Sequence, residues 1–234
     1  MVTRIRQAAF DIARGVAACP HLATCSREFH NKFPSRDGEK PTHFAPTPSP
    51  DFIGSRYAGL VIVGGNPGLA HQGVHHEKDA RMFALQKRIA LGEQAAFDEL
   101  LAFMPDSMAH WPQVVDRGSR AMLRYDIEHV AYIDIVKCGT RPAQGDTHSL
   151  MKRTGILNRC WEQHTRKLLD LLQPTHILAL WTPTLRVLQR LGYDIDSKIV
   201  GHHSGARHLT KIAKYANAHP VVDDFYRRSQ LGRP

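Results

Sequence analysis

From residue 58 onward the chain switches between two hydrophobic rhythms. AGLVIVGG (58–65), HVAYIDIVKC (129–138), THILALW (175–181) and KIVG (198–201) are short, apolar nearly throughout and rich in β-branched residues. Such runs are expected of strands buried on both faces. Between them lie stretches with helical spacing: 77–104 with a soft spot at Gly92, 119–127, 148–172 ending in LLDLLQ before Pro174, and 183–191 with proline near its first turn. Buried strands alternating with helices predict an α/β fold in three layers, α/β/α, around a central, mainly parallel four-stranded sheet.

The flanks behave differently. Residues 1–15 place Ile5, Ala8, Phe10, Ile12 and Ala13 at helical positions, whereas 16–58 is dominated by turn formers. PTHFAPTPSP (41–50) carries four prolines and supports neither a helix nor a central strand. It reads as a solvated linker unless Cys19 and Cys25 pin it to the body. One domain over 1–234 is the simplest division, with an irregular N-terminal part (1–57), an α/β core (58–210) and a basic tail (211–234).

Charge adds a partner class. The net charge of +9 favours a polyanion, most often nucleic acid. No apolar stretch approaches the eighteen or so residues that a membrane span needs. Asp11 and Arg14 interrupt the N-terminal apolar positions, so that segment is expected to be a helix rather than a secretion signal, and the protein cytoplasmic.

Ligands of open α/β sheets bind at the carboxyl ends of the strands. Three segments rich in chemistry fall there: GGNPG (64–68), KCGTRP (137–142) and HHSGARH (202–208). GGNPG fits neither common phosphate-loop spacing, and Pro67 removes a backbone donor. It is a structural turn, or it presents Asn66, whose carboxamide can hold a water or a polar substrate edge. His202 can donate to a leaving group as charge develops on it, and Ser204 and Arg207 suit phosphate contacts. Alternatively, His202 and His203 bind a metal with His75 and His76, or lie on the surface. Asp134 stands at the end of an apolar strand and must meet a donor, from a cap, an ion pair or a substrate. His76 can stack on a base or lie in a solvated loop. Cys19, Cys25, Cys138 and Cys160 form two separated pairs, as a metal or an iron–sulfur cluster needs, but neither spacing is C-x2-C.

Taken in order, VIVGGNPGLAHQGVHH, AYIDIVKCGTRP, LNRCWEQH and H-x-S resemble the uracil-DNA glycosylase superfamily over roughly residues 17–210. The first motif is similar to the G-I-N-P-G type, and the cysteine framework, with VACPHLATC, to the iron–sulfur (family 4-like) branch. The resemblance implies a monofunctional, monomeric DNA glycosylase of base-excision repair, hydrolysing the N-glycosidic bond of uracil or another deaminated base in the bacterial cytoplasm. It implies that Asn66 places the hydrolytic water, that His202 supports the departing base and that Ser204 contacts phosphate. Gly64, Gly65 and Gly68 would line the substrate, His76 would stack on it, and Asp134 would read its edge. Cys19, Cys25, Cys138 and Cys160 would ligate a [4Fe–4S] cluster. Three positions depart from the pattern, Gly65, His203 in place of proline and Asp134 in place of asparagine, and so do two spacings: C-x5-C replaces a tighter first pair, and the interval between Cys138 and Cys160, with the basic SLMKRTG inside it, is longer than typical. An ionised aspartate only accepts hydrogen bonds, whereas a protonated one still donates. A non-catalytic or crosslinking uracil- or damaged-DNA-binding protein on the same fold is the alternative.

Overall fold

A computed structural model describes residues 2–34, 43–45, 47–68, 74–107, 130–141, 150, 155–180, 182–193 and 199–202. The expected helix at 119–127, most of the interval between Cys138 and Cys160, and the basic tail lie outside the described residues.

The N-terminal helix forms as expected: α1 (Val2–Ala17) buries Ala9, Phe10, Ala13, Val16 and Ala17, a stripe along one face. The stretch after it is not irregular. Helix α2 (Leu22–Lys32) buries only Cys25 and Phe29, one turn apart, with the Phe29 ring 5.4 Å from that of Phe44. Two buried positions in eleven residues give little periodic signal; partners distant in sequence stabilise this helix.

The proline-rich segment is not a solvated linker. Strand β1 (His43–Phe44) pairs antiparallel with β5 (Thr140–Arg141), and β2 (Phe52–Ile53) pairs antiparallel with β4 (Val130–Asp134). Between them Pro48, Ser49, Pro50 and Asp51 are buried. The backbone donors that the prolines lack come from the residues between them: Ala45 N–H bonds Gly139 O at 2.7 Å and Ser49 N–H bonds Lys137 O at 2.7 Å. The segment is a strap across the carboxyl end of β4.

The main sheet has five strands in the order β2-β4-β3-β6-β7, with β3 (Leu60–Gly64), β6 (His176–Leu180) and β7 (Ile199–His202). Strands β4, β3, β6 and β7 run parallel; the strap adds the antiparallel edge β2. Alternation along the strands divides the core in two. Leu60, Ile62 and Val130 pack with α1, α3 (Val74–Ala90) and α4 (Gln94–Ser107). Val61, Val63, Ala131, Ile133, Ile177 and Ala179 pack on the opposite face. Covering that face are α2, α5 (Gly155–Cys160), a π-helical turn (Trp161–Thr165), α6 (Arg166–Leu172) and α7 (Thr182–Arg190).

Two helix boundaries differ from expectation. The 77–104 stretch is two helices, because Gly92 at φ +93° ends α3 and turns the chain into α4. The helix also begins at Val74, so His76 lies in its first turn rather than in a loop.

Connections place the site. Strand β3 leads to α3 and α4 on one face, and β4 leads to α5 and α6 on the other. Adjacent strands whose chains depart to opposite faces open a crevice at their carboxyl ends. Gly64 and Asp134 are register partners at that point.

Candidate active site and cysteine centre

The GGNPG turn is laced to the chain that follows β4. Ile135 N–H bonds Gly64 O at 3.1 Å, Val136 N–H bonds Gly65 O at 2.9 Å, and Thr140 N–H bonds Pro67 O at 3.0 Å. Half-buried Asn66 donates through Nδ2 to Thr140 Oγ1 at 2.7 Å, Pro67 O at 3.1 Å and Cys138 O at 3.5 Å. Two of those three partners are carbonyl oxygens and only accept, so nitrogen must face them. Asn66 Oδ1 is thereby turned the other way, as an acceptor with no partner among the described residues. Thr140, fully buried, is a positioning residue that sequence reading missed; its place in KCGTRP was the available signal.

Below the turn lies a buried polar group. Asp134 Oδ1 abuts Gly64 so closely that a Cβ there would meet it, and would stand 2.7 Å from the Tyr132 hydroxyl. Glycine at 64 is therefore a space requirement. Lys137 Nζ, fully buried, bonds Asp51 Oδ2 at 2.6 Å and Asp134 O at 2.5 Å. Asp51 Oδ1 accepts the Asp134 N–H at 3.0 Å. Asp134 Oδ1 is buried with no hydrogen-bond partner among the described residues. Burial raises the Asp134 carboxyl to about 7, the neighbouring Asp51 charge adding to the rise and Lys137 opposing it. Asp51 and Lys137 had no place in the sequence reading, although a lysine closing the apolar run YIDIVK was a visible anomaly.

The four cysteines converge. Cys19 lies between α1 and α2, Cys25 in α2, Cys138 just after β4 and Cys160 at the end of α5. All four thiols are free, and every pairing among them is close enough to interact electrostatically. Cys138 hydrogen-bonds Cys160, which lowers the Cys160 thiol to about 7, helped by the Lys137 backbone N–H. Burial raises the thiols of Cys19 and Cys25. Arg159 Nε donates to Cys25 Sγ at 3.4 Å, and His164 Nε2 lies 3.2 Å from Cys19 Sγ. Burial, with Lys137 next, lowers His164 to about 4, so its imidazole is neutral. Arg159 and His164 flank Cys160 in NRCWEQH, a signal that was on view but not used.

As to fit, the donor set is all sulfur, with N–H groups turned toward it. Among the described residues no three ligating side chains close around a single ion. A multi-iron cluster asks for one thiolate per iron, which four converging cysteines can supply.

Other expected residues are placed only in part. His202 ends β7, paired with Leu180 of β6. Two strand spacings separate β7 from β3, roughly 10 Å. Its side chain, that of His76, and the whole of Ser204 and Arg207 lie outside the described residues. No helix among the described residues is long and apolar enough to cross a membrane. No protein-family model matches the chain, and no curated protein does either.

Proposed function

We propose that the protein is a DNA glycosylase that hydrolyses the N-glycosidic bond of uracil or another deaminated base. Its fold is read as the three-layer architecture of the uracil-DNA glycosylases. The observation that carries the reading is the convergence of Cys19, Cys25, Cys138 and Cys160 beside a GGNPG turn, a combination that the motif resemblance implies. The basic surface neutralises phosphates, and the target nucleotide is flipped into the crevice at a cost of a few kcal/mol. Asn66 Oδ1, held outward by the commitments of Nδ2, accepts a hydrogen bond from the attacking water and aims it. His202 donates to the base as negative charge builds there. No lysine is assigned a nucleophilic role, so strand cleavage is not expected. The four cysteines would hold a [4Fe–4S] cluster of structural role, tying α1 and α2 to the sheet.

A base-release panel on oligonucleotides carrying uracil and other deaminated bases tests this, with Asn66→Ala and His202→Ala as controls. Wild-type protein that releases no base from any of them refutes the enzyme. A second reading, a uracil-binding or crosslinking protein that does not turn over, is favoured by the acid at position 134. Tight binding without released base would select it.

A further inference from the structure

We propose that Asp134 acts as a neutral carboxylic acid whose Oδ1–H donates to a carbonyl oxygen of the bound base, and that Asp51 keeps it neutral. This deepens the glycosylase reading and rests on it. Two carboxyls and one ammonium meet at the end of β4: Asp51, Asp134 and Lys137, the last fully buried and the two acids nearly so. One positive charge supports one buried carboxylate; the other acid keeps its proton.

Which acid keeps it follows from the donors. Asp51 receives the Lys137 ammonium at 2.6 Å on one oxygen and the Asp134 N–H at 3.0 Å on the other. Lys137 turns only to the backbone oxygen of Asp134, at 2.5 Å. The Asp134 carboxyl has the Tyr132 hydroxyl as its hydrogen-bond donor, and its Oδ1 has no partner among the described residues. An unpartnered buried O–H costs far less than an unpartnered buried oxyanion. The proton therefore sits on Oδ1, against Gly64, the first residue of the turn.

Among the described residues no further charge faces that side chain. On β3 the neighbour is Gly64; on the strap it is Asp51; on β4 and just beyond it, Tyr132 and Lys137. Met82 and Gln86 of α3, which meet Ser49 of the strap, are uncharged. The π-helical turn reaches the Asp134 backbone through Thr165, while His164 faces Cys19. Burial raises both carboxyls; at Asp51 the Lys137 charge and hydrogen bond and the Asp134 N–H oppose the rise, whereas at Asp134 the Asp51 charge adds to it, leaving that carboxyl near 7.

The chemical consequence is a choice of substrate. Deamination replaces an exocyclic amine by a carbonyl, turning a donor into an acceptor. A neutral acid donates to the carbonyl; an ionised one accepts from the amine and repels the carbonyl. While Asp134 keeps its proton, the site therefore favours a deaminated base over its amine-bearing parent.

The test measures affinity from pH 5 to 9 for an oligonucleotide with one 2′-fluoro-deoxyuridine, which resists bond cleavage. Wild-type affinity should fall above about pH 7, approaching tenfold per pH unit, while Asp134→Asn stays level and binds at pH 9. Asp51→Asn should move the fall to lower pH. A fall shared equally by Asp134→Asn, or no fall at all in wild type, overturns the proposal and leaves the glycosylase reading intact. Carboxyl titration by carbon NMR reads Asp134 without any ligand, and titration in the ordinary aspartate range also overturns it. Absence of uracil binding in both proteins at every pH overturns the glycosylase reading and the donor role with it.

Discussion

Gly64 shows how one missing side chain organises the centre. Gly64→Ala pushes a Cβ into Asp134 Oδ1 and the Tyr132 hydroxyl and should destabilise by about 1–3 kcal/mol in chemical denaturation. Adding Asp134→Ala should recover part of that loss, because the nearer of the two clash partners is gone. The Asp51–Lys137 pair makes a second test. Lys137→Met strands a buried carboxylate and should cost about 3–5 kcal/mol, whereas Asp51→Leu with Lys137→Met should cost clearly less. Asp134 itself sets a pH dependence of stability. Its carboxyl is raised to about 7 in the fold, whereas the unfolded residue ionises near its ordinary value of 3.8. Between those values the native state holds the extra proton, so stability should decline as pH rises from 4 to 7 and then level off. The full effect is roughly 4 kcal/mol at most, and Asp134→Asn should remove that slope from thermal melts taken across the range.

At the scale of elements, the N-terminal helices are held by polar clips as much as by apolar area. Glu28 of α2 accepts the Gly155 N–H at 2.9 Å, capping α5, and pairs with Arg159 at 2.5 Å. Arg159 in turn donates to Cys25. Glu28→Ala should lower stability by about 1–2 kcal/mol, read as a fall in melting temperature. If the cysteines hold a cluster, Cys138→Ser should abolish broad absorption near 400 nm in purified protein and increase proteolysis within 1–34. The strands of the parallel sheet were legible from their sequences because a strand buried on both faces is apolar nearly throughout. LVIVG and VAYID leave little else to choose. Helix α2 and the strap were not legible: α2 owes its stability to Phe44 and Cys138 from elsewhere, and prolines spaced two apart look like a linker until Ala45 and Ser49 find acceptors on the far side of β4.

For the molecule as a whole, the charge of +9 makes a statement about partners that salt can test. Binding to DNA should weaken linearly in log–log form as salt rises from 50 to 200 mM, by roughly tenfold or more if several phosphates are contacted. A flat response would remove nucleic acid as the partner. The α/β class, the strand ends that carry chemistry, and the candidates Asn66, Asp134 and the four cysteines were all decided by the sequence alone. Each follows from local rules: periodicity for the elements, turn formers for the loops, and side-chain type for the chemistry. What only the tertiary structure decided is which groups face one another. The amide of Asn66 is oriented by Pro67 O, Cys138 O and Thr140, the last two more than seventy positions away. Asp134 and the nearby Lys137 meet Asp51 because a proline-rich strap folds back over β4. The lysine closing YIDIVK and the threonine in KCGTRP mark unusual positions, but spacing and composition do not name their partners, since hydrogen-bond partners are chosen by three-dimensional register and a buried carboxyl's charge state by the other charges sealed in with it.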